Sequence, residues 1–318
     1  MPDSMTPRIK PRALQPGDTV GVVAPASNVK RDDLLAGCES LRRAGYQPFY
    51  FDSIFERDLY FAGSVERRAR ELEDMFAREE VRAIVCARGG YGANYLLKAL
   101  NLEKIKSHPK IFVGYSDLTC LLTHLTDKIG LVTFHGPMVA KDWARSDGVD
   151  LKSWQAALSG VALLEVNSGA GSGARGLMNG TARGTLYGGC LSLLVASLGT
   201  PYEIHTEGTI LFLEDVAAKP YQIDRMLMQL KLTGKFKGVR GIVFGEMLDC
   251  VQNANQGYTL EEVVLRIVGE LGVPVTYGLR SGHVTSGNIT LPIGVQAELT
   301  VQDERVSLKI LEAAVTPC

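Results

Sequence analysis

The chain has 318 residues, with 34 Lys and Arg against 35 Asp and Glu, 46% hydrophobic and 22% charged positions, and a mean hydropathy near zero. That length can bury one large core or two moderate ones, and the balance excludes a disordered chain, a fibre and a membrane-embedded protein. Because the charges cancel, no electrostatic reason exists to expect nucleic acid or anionic lipid as partner, and a small specific ligand is expected instead.

Residues 1–17 carry Pro2, Pro7, Pro11 and Pro16 among basic residues, without the apolar stretch of a signal peptide. No apolar run approaches the roughly 20 residues that cross a bilayer. Cys38, Cys86, Cys120, Cys190, Cys250 and Cys318 are scattered without CxxC spacing, which fits free thiols in a reducing compartment. A cytoplasmic protein is expected.

Through residues 1–140, short β-rich apolar runs alternate with longer amphipathic ones, the pattern of βαβ units on a mostly parallel sheet. Strands are expected at 19–24, 47–51, 83–87, 110–113 and 132–134. Helices are expected at 30–44, 64–78, 92–100 and 118–129, where apolar residues recur at spacings of three and four. This half reads as doubly wound α/β.

Residues 167–180 are Gly- and Ser-rich and aperiodic, like a linker or surface loop. The chain is therefore divided into a first domain at 1–150, a linker at 151–180 and a second domain at 181–318. The second domain should hold helices at 188–198, 220–232 and 260–271, with strands at 209–213, 241–245, 297–301 and 305–310. No internal repeat is present.

The chemistry begins at Gly114-Tyr115-Ser116-Asp117, where an apolar strand runs through a sharp turn directly into a helix. Such a turn exposes the Ser116 hydroxyl at the carboxyl edge of the sheet, and the backbone amides that follow can stabilise an oxyanion. A plain helix cap by Ser116 or Asp117 is the competing interpretation. The trailing glycine of a GxSxG elbow is missing.

A serine nucleophile needs a base, and the chain has five histidines. His108 sits in a polar loop, His124 inside a helix and His205 in a polar connection. His283 lies between glycines in a loop able to aim an imidazole into a cleft, while His135, at a strand end, stays in reserve. Glu214 ends the apolar run from Thr209 to Leu213 and is placed to orient the imidazole; Glu246 is its competitor, and Asp215 should face the other way. In Arg88-Gly89-Gly90-Tyr91-Gly92, a glycine-rich βα turn, exposed amides can hold an oxyanion or a carboxylate.

Gly21-Val-Val-Ala-Pro-Ala-Ser, Arg88-Gly-Gly-Tyr-Gly, Gly114-Tyr-Ser-Asp, His135-Gly-Pro-Met, Leu213-Glu-Asp and Ser281-Gly-His occur in this order. Together they resemble the LD-carboxypeptidase family of serine peptidases over nearly the whole chain. The resemblance implies Ser116 as nucleophile, Glu214 as acid and His283 as base, with an oxyanion hole at the Asp117 and Gly90 amides. It also implies a flavodoxin-like N-terminal domain beside a smaller C-terminal β/α domain, in a homodimer that needs no metal or cofactor. The implied reaction removes terminal D-alanine from a muramoyl tetrapeptide after L-lysine or meso-diaminopimelate, in cell-wall recycling. Arg88 and Gly89 are candidates for binding the free carboxyl end.

Three other functions remain in view. A sister branch resembling the microcin C7 self-immunity peptidases would use the same triad on peptidyl-nucleotides, and the 169–176 stretch is a candidate substrate loop. A thiol glutaminase-like enzyme would need Cys86 or Cys120 exposed at an elbow. A non-catalytic, two-lobed small-molecule binding protein would share the fold without using the triad.

Overall fold

The computed structural model describes residues 7–160, 163–169, 171–251 and 257–317. Pro2, position 170 of the Gly/Ser-rich stretch and Cys318 lie outside the described residues. The first half alternates strands β1 (Thr19–Val23), β2 (Gln47–Phe49), β3 (Val81–Cys86), β4 (Ile111–Gly114) and β5 (Thr133–His135) with helices α1 (Arg31–Arg43), α2 (Val65–Ala77), α3 (Leu102–Ser107) and α4 (Thr119–Ile129). These strands are parallel and lie in the order β5-β4-β3-β1-β2, the flavodoxin-like winding.

Strand side chains alternate between the two faces of this sheet. Val20, Val22, Ala83 and Val85 bury against Leu34 and Leu41 of α1. Ile84, Cys86 and Phe112 bury against Leu72, Phe76 and Leu121 of α2 and α4. Each Val, Leu, Ile and Phe among them contributes about 1.5–3 kcal/mol by leaving water, which fixes the register of the sheet edge that carries the site.

The second half comprises α5 (Leu151–Ser159), β6 (Glu165–Asn167), β7 (Arg175–Met178), β8 (Gly180–Cys190), α6 (Leu191–Ala196), β9 (Thr209–Glu214), α7 (Pro220–Leu232), β10 (Gly241–Gly245), α8 (Leu260–Val268), β11 (Val275–Leu279), β12 (Leu291–Ile293), β13 (Gln296–Gln302) and β14 (Arg305–Ile310). Eight of these strands form a mixed sheet, β6-β14-β13-β8-β9-β10-β11-β7, whose parallel centre is β8 to β11. β12 does not join it. That strand crosses to the first sheet and pairs antiparallel with β5, Leu291 opposite His135.

Three expectations need correction. Residues 188–198 are not one helix, because Gly188, Gly189 and Cys190 pair with Phe212, Leu213 and Glu214, leaving a helix over 191–196 alone. Residues 92–100 hold a short 3₁₀ turn at Ala93–Leu96, and the α-helix begins later, where the Asn101 side chain accepts from the Lys104 amide. The stretch 151–180 contains α5, β6 and β7, and the Ser172 carbonyl is bonded to the Arg280 amide beyond β11.

Among the described residues no helix is long and apolar enough to cross a membrane. Cys38, Cys86, Cys120, Cys190 and Cys250 are all free thiols.

Candidate active site

β4 is buried along its length and delivers Tyr115 in extended geometry. Ser116 follows with φ of 64°, the left-handed region, which costs a residue bearing a Cβ about 1–2 kcal/mol. A 3₁₀ turn over Ser116–Leu118 leads into α4, and no side chain caps either helix. The capping interpretation of Ser116 therefore fails. The first amides of this turn, Asp117 among them, have no carbonyl partner within it.

Asp117 is buried, and its carboxylate accepts from the Ala93 amide at 2.7 Å, tying the nucleophile turn to the glycine-rich loop. Burial pushes its pKa up to about 6, against the pull of the Ala93 amide and the Arg68 charge. Arg68, also buried, donates to the carbonyls of Gly92 at 2.8 Å and Pro25 at 2.7 Å, holding the other side of the loop. Gly89 lies against Ser116: a Cβ there would sit 2.8 Å from Ser116 Cβ and 3.0 Å from Ser116 Oγ. The Ser27 amide donates to the Gly89 carbonyl at 3.4 Å, and across the trans peptide this turns the Gly90 N–H the opposite way. Half-buried Arg88 donates to the Asn28 carbonyl at 3.3 Å.

Glu214 stands at the end of β9, 1% exposed. Its Oε2 accepts from His283 Nδ1 at 2.8 Å and from the His283 backbone amide at 3.1 Å. Burial works to raise the Glu214 pKa, but the His283 and His135 imidazoles overcome it and hold the carboxyl well below the usual range. Gly282 has φ of 96°, and a Cβ there would meet Glu214 Cδ at 2.7 Å and His135 Cε1 at 2.8 Å, so only glycine fits. Asn288 clamps this loop by accepting from the Gly282 amide and donating to its carbonyl.

The Glu246 carboxylate instead accepts from the Thr285 amide at 3.3 Å and lines a cavity of about 570 Å³ with Arg175, Asp249, Tyr258 and Tyr277. Asp215 turns away to the Ser192 amide.

The His283 ring stands edge-on to Tyr115, centroids 5.1 Å apart, so the imidazole from the second half borders the residue preceding Ser116. Tyr115 OH donates to Asp142 at 3.4 Å. Cys190 donates its amide to Thr119 Oγ1 at 3.0 Å, docking the end of β8 on the start of α4. The Glu214–His283 pair thus borders Tyr115, the residue before Ser116, at the seam of the two sheets, and no hydrogen bond joins Ser116 to His283 among the described residues.

The remaining titratable candidates fall away from the seam. His108 is exposed and bonded to the Lys104 carbonyl, and His205 is exposed. His124 stacks edge-on to Tyr202, its pKa pushed down to about 4 by burial and by Lys128. Burial raises the Cys86 and Cys120 thiols far from thiolate character. Neither can serve as the nucleophile of a thiol enzyme. Sequence reasoning missed Arg68, Asp142 and Asn288, since nothing local distinguishes a buried clamp from a surface residue; Ser281 was visible only as a motif letter.

Residues 20–136 match the family model for the LD-carboxypeptidase N-terminal domain, and residues 183–299 match that for the C-terminal domain. The chain is 38% identical over 310 residues to the probable murein peptide carboxypeptidase of Bacillus subtilis (strain 168), covering 96% of this chain and 95% of that one. It is 27% identical over 328 residues to the microcin C7 self-immunity protein MccF of Escherichia coli, covering 93% and 94%. The crystal structure of muramoyltetrapeptide carboxypeptidase from Oxalobacter formigenes superposes with a TM-score of 0.82 at 30% identity, over 94% of this chain and 100% of that one. With both domain models matched in order and relatives aligned nearly end to end, the chain belongs to the LD-carboxypeptidase family of peptidases.

Proposed function

We propose that the protein is a cytoplasmic serine LD-carboxypeptidase that releases terminal D-alanine from a muramoyl tetrapeptide, cutting after L-lysine or meso-diaminopimelate in cell-wall recycling, and that it acts as a homodimer. The observation that carries this reading is the buried Glu214–His283 pair, 2.8 Å between Oε2 and Nδ1, with the His283 ring against Tyr115, the residue that precedes a serine held in a left-handed turn. The five free thiols support the reducing compartment.

In the proposed mechanism, Glu214 keeps the His283 proton on Nδ1, so that Nε2 offers a lone pair to the Ser116 hydroxyl. As that proton moves to His283, Ser116 Oγ attacks the scissile carbonyl. The Asp117 and Gly90 amides receive the oxyanion. His283 then protonates the departing D-alanine nitrogen, leaving an acyl-enzyme on Ser116. Water, deprotonated by His283, hydrolyses the ester and restores the serine. Arg88 and the Gly89 amide are proposed to hold the substrate's free carboxylate.

Purified wild type and Ser116→Ala are incubated with muramoyl tetrapeptide and followed by mass spectrometry. Tripeptide and free D-alanine from wild type alone support the reading; an intact tetrapeptide with the wild type sinks it. Cleavage of a peptidyl-nucleotide instead would move the chain to the branch of MccF, to which it is 27% identical. Failure of a fluorophosphonate to label Ser116 would favour a non-catalytic binding protein.

A further inference from the structure

Glu214 has a second oxygen that the triad does not use. Oε1 is buried and accepts no hydrogen bond, an expensive condition for a charged acceptor. The polar atom facing it is His135 Nε2, 3.8 Å away, itself fully buried and unpartnered. That gap exceeds hydrogen-bond length, yet it is too short for a bridging water, which needs about 4.5 Å between two bonds of normal length and angle. Among the described residues neither atom has another hydrogen-bond partner.

Which of them carries a proton is decided on the other side of the ring. His135 Nδ1 lies 2.9 Å from Ser281 Oγ, which also lies 2.8 Å from the Ile289 carbonyl. The hydroxyl has one hydrogen for two acceptors. If it goes to Ile289, a neutral His135 must donate from Nδ1, and a bare Nε2 lone pair then faces a carboxylate oxygen. If it goes to Nδ1, the ring proton sits on Nε2 and points at Oε1, which replaces a lone pair facing a buried carboxylate oxygen by an attractive N–H.

We propose that His135 is a positioning residue of the catalytic centre: Ser281 sets its tautomer, and its Nε2–H holds Glu214 Oε1 so that Oε2 stays committed to His283. Ser281 then donates to His135, and Glu214 stands as the common acceptor between His135 and His283. The ring is held by an edge contact with Phe212 at 4.9 Å and a tilted one with Tyr115 at 5.9 Å between centroids. Glu214 faces it from β9 and Ser281 from the β11–β12 connection; His283 lies across Glu214, and Asp142 is reached through Tyr115. The consequence for catalysis rests on the peptidase reading, whereas the hydrogen-bond assignment does not.

The test uses full-length protein labelled with ¹⁵N-histidine, in which the five rings are assigned by His→Gln exchange. His135 should be the Nε2–H tautomer, and the low-field proton of the His283–Glu214 bond should shift in His135→Phe, which keeps the ring and removes the donor. In the tetrapeptide assay His135→Phe should lose about 10–100-fold in kcat with little change in KM and a displaced acid limb of kcat/KM, as removal of an outer partner commonly does. His135→Gln, which places an amide N–H near the position of Nε2, should recover most of that loss. An Nδ1–H tautomer, a ring protonated on both nitrogens, or a folded His135→Phe with an unmoved low-field proton and unchanged kcat, overturns the proposal. Should His135→Phe fail to fold, Ser281→Ala replaces it: a mixed tautomer supports the assignment, and an unaltered ring spectrum refutes it. A wild type inert toward tetrapeptide removes the peptidase reading and with it the catalytic role of His135, while the spectra still decide the tautomer.

Discussion

His283 Nδ1 lies 2.8 Å from Glu214 Oε2 across 69 residues of sequence, and the same carboxylate oxygen also accepts the His283 backbone amide. One side chain thus fixes both the ring and the loop that bears it. Glu214→Gln should keep the fold and lower kcat by about 10²–10⁴-fold, the range seen when the acid of such a triad is neutralised. Glu246→Gln should leave kcat within about threefold, since among the described residues Glu246 accepts from the Thr285 amide and not from His283. Steady-state assays of the pair test the choice of acid, and equal losses would refute it.

The same carboxyl sets an acid limit on stability. Its folded pKa is depressed, so its contribution is present above the unfolded value of about 4.3 and is lost as pH falls through the folded value. Urea unfolding from pH 7 to 3 should therefore show a steeper acid loss in wild type than in Glu214→Gln.

Asp117 has the opposite sign. With a folded pKa of about 6, its contribution is complete below its unfolded value near 3.9 and disappears as pH rises through 6. Asp117→Asn should accordingly gain on wild type by roughly 1–3 kcal/mol between pH 4 and 7, as read from unfolding midpoints. A constant difference across that range would contradict the burial argument.

Ser116 should show stability given up for function. Ser116→Ala and Ser116→Gly should both lose at least about 10³-fold in kcat. The glycine variant should also unfold about 1 kcal/mol later than the alanine one, because it removes the Cβ from a left-handed residue. Equal stability of the two would show that the turn is not strained.

Gly89→Ala should disable the nucleophile without touching the triad's acid or base. Its new methyl would fall 3.0 Å from Ser116 Oγ, and a displacement of that order costs about 10²-fold in rate. A near-native melting temperature with lost activity is expected, and full activity would show that Ser116 has room to move.

Much of the first half was legible because strand and helix periods alternate cleanly from Thr19 to Ile129, and the doubly wound order follows from that alternation. Local sequence could also single out Ser116 and Glu214 as candidates, since each lies where a buried run meets a turn, and His283 because glycine flanks it in a loop. What it could not show was set by distant partners. The run from Gly188 reads as helical until β9 is alongside it, because strand pairing overrides local propensity. The short strand β12 carries no signal of belonging to a sheet whose other strands end at His135. His135 was left in reserve because its partners Ser281 and Glu214 lie far along the chain.

The itinerary of the chain around His283 limits how this molecule can come apart. It leaves the second sheet at Leu279, carries the imidazole through the seam, and re-enters the first sheet at Leu291 opposite His135 before returning at Gln296. No single cut between residues 150 and 290 yields two self-sufficient pieces, because the severed first half forfeits its outermost strand and leaves the edge of β5 bare. Melting either half should consequently dismantle the chemistry of both.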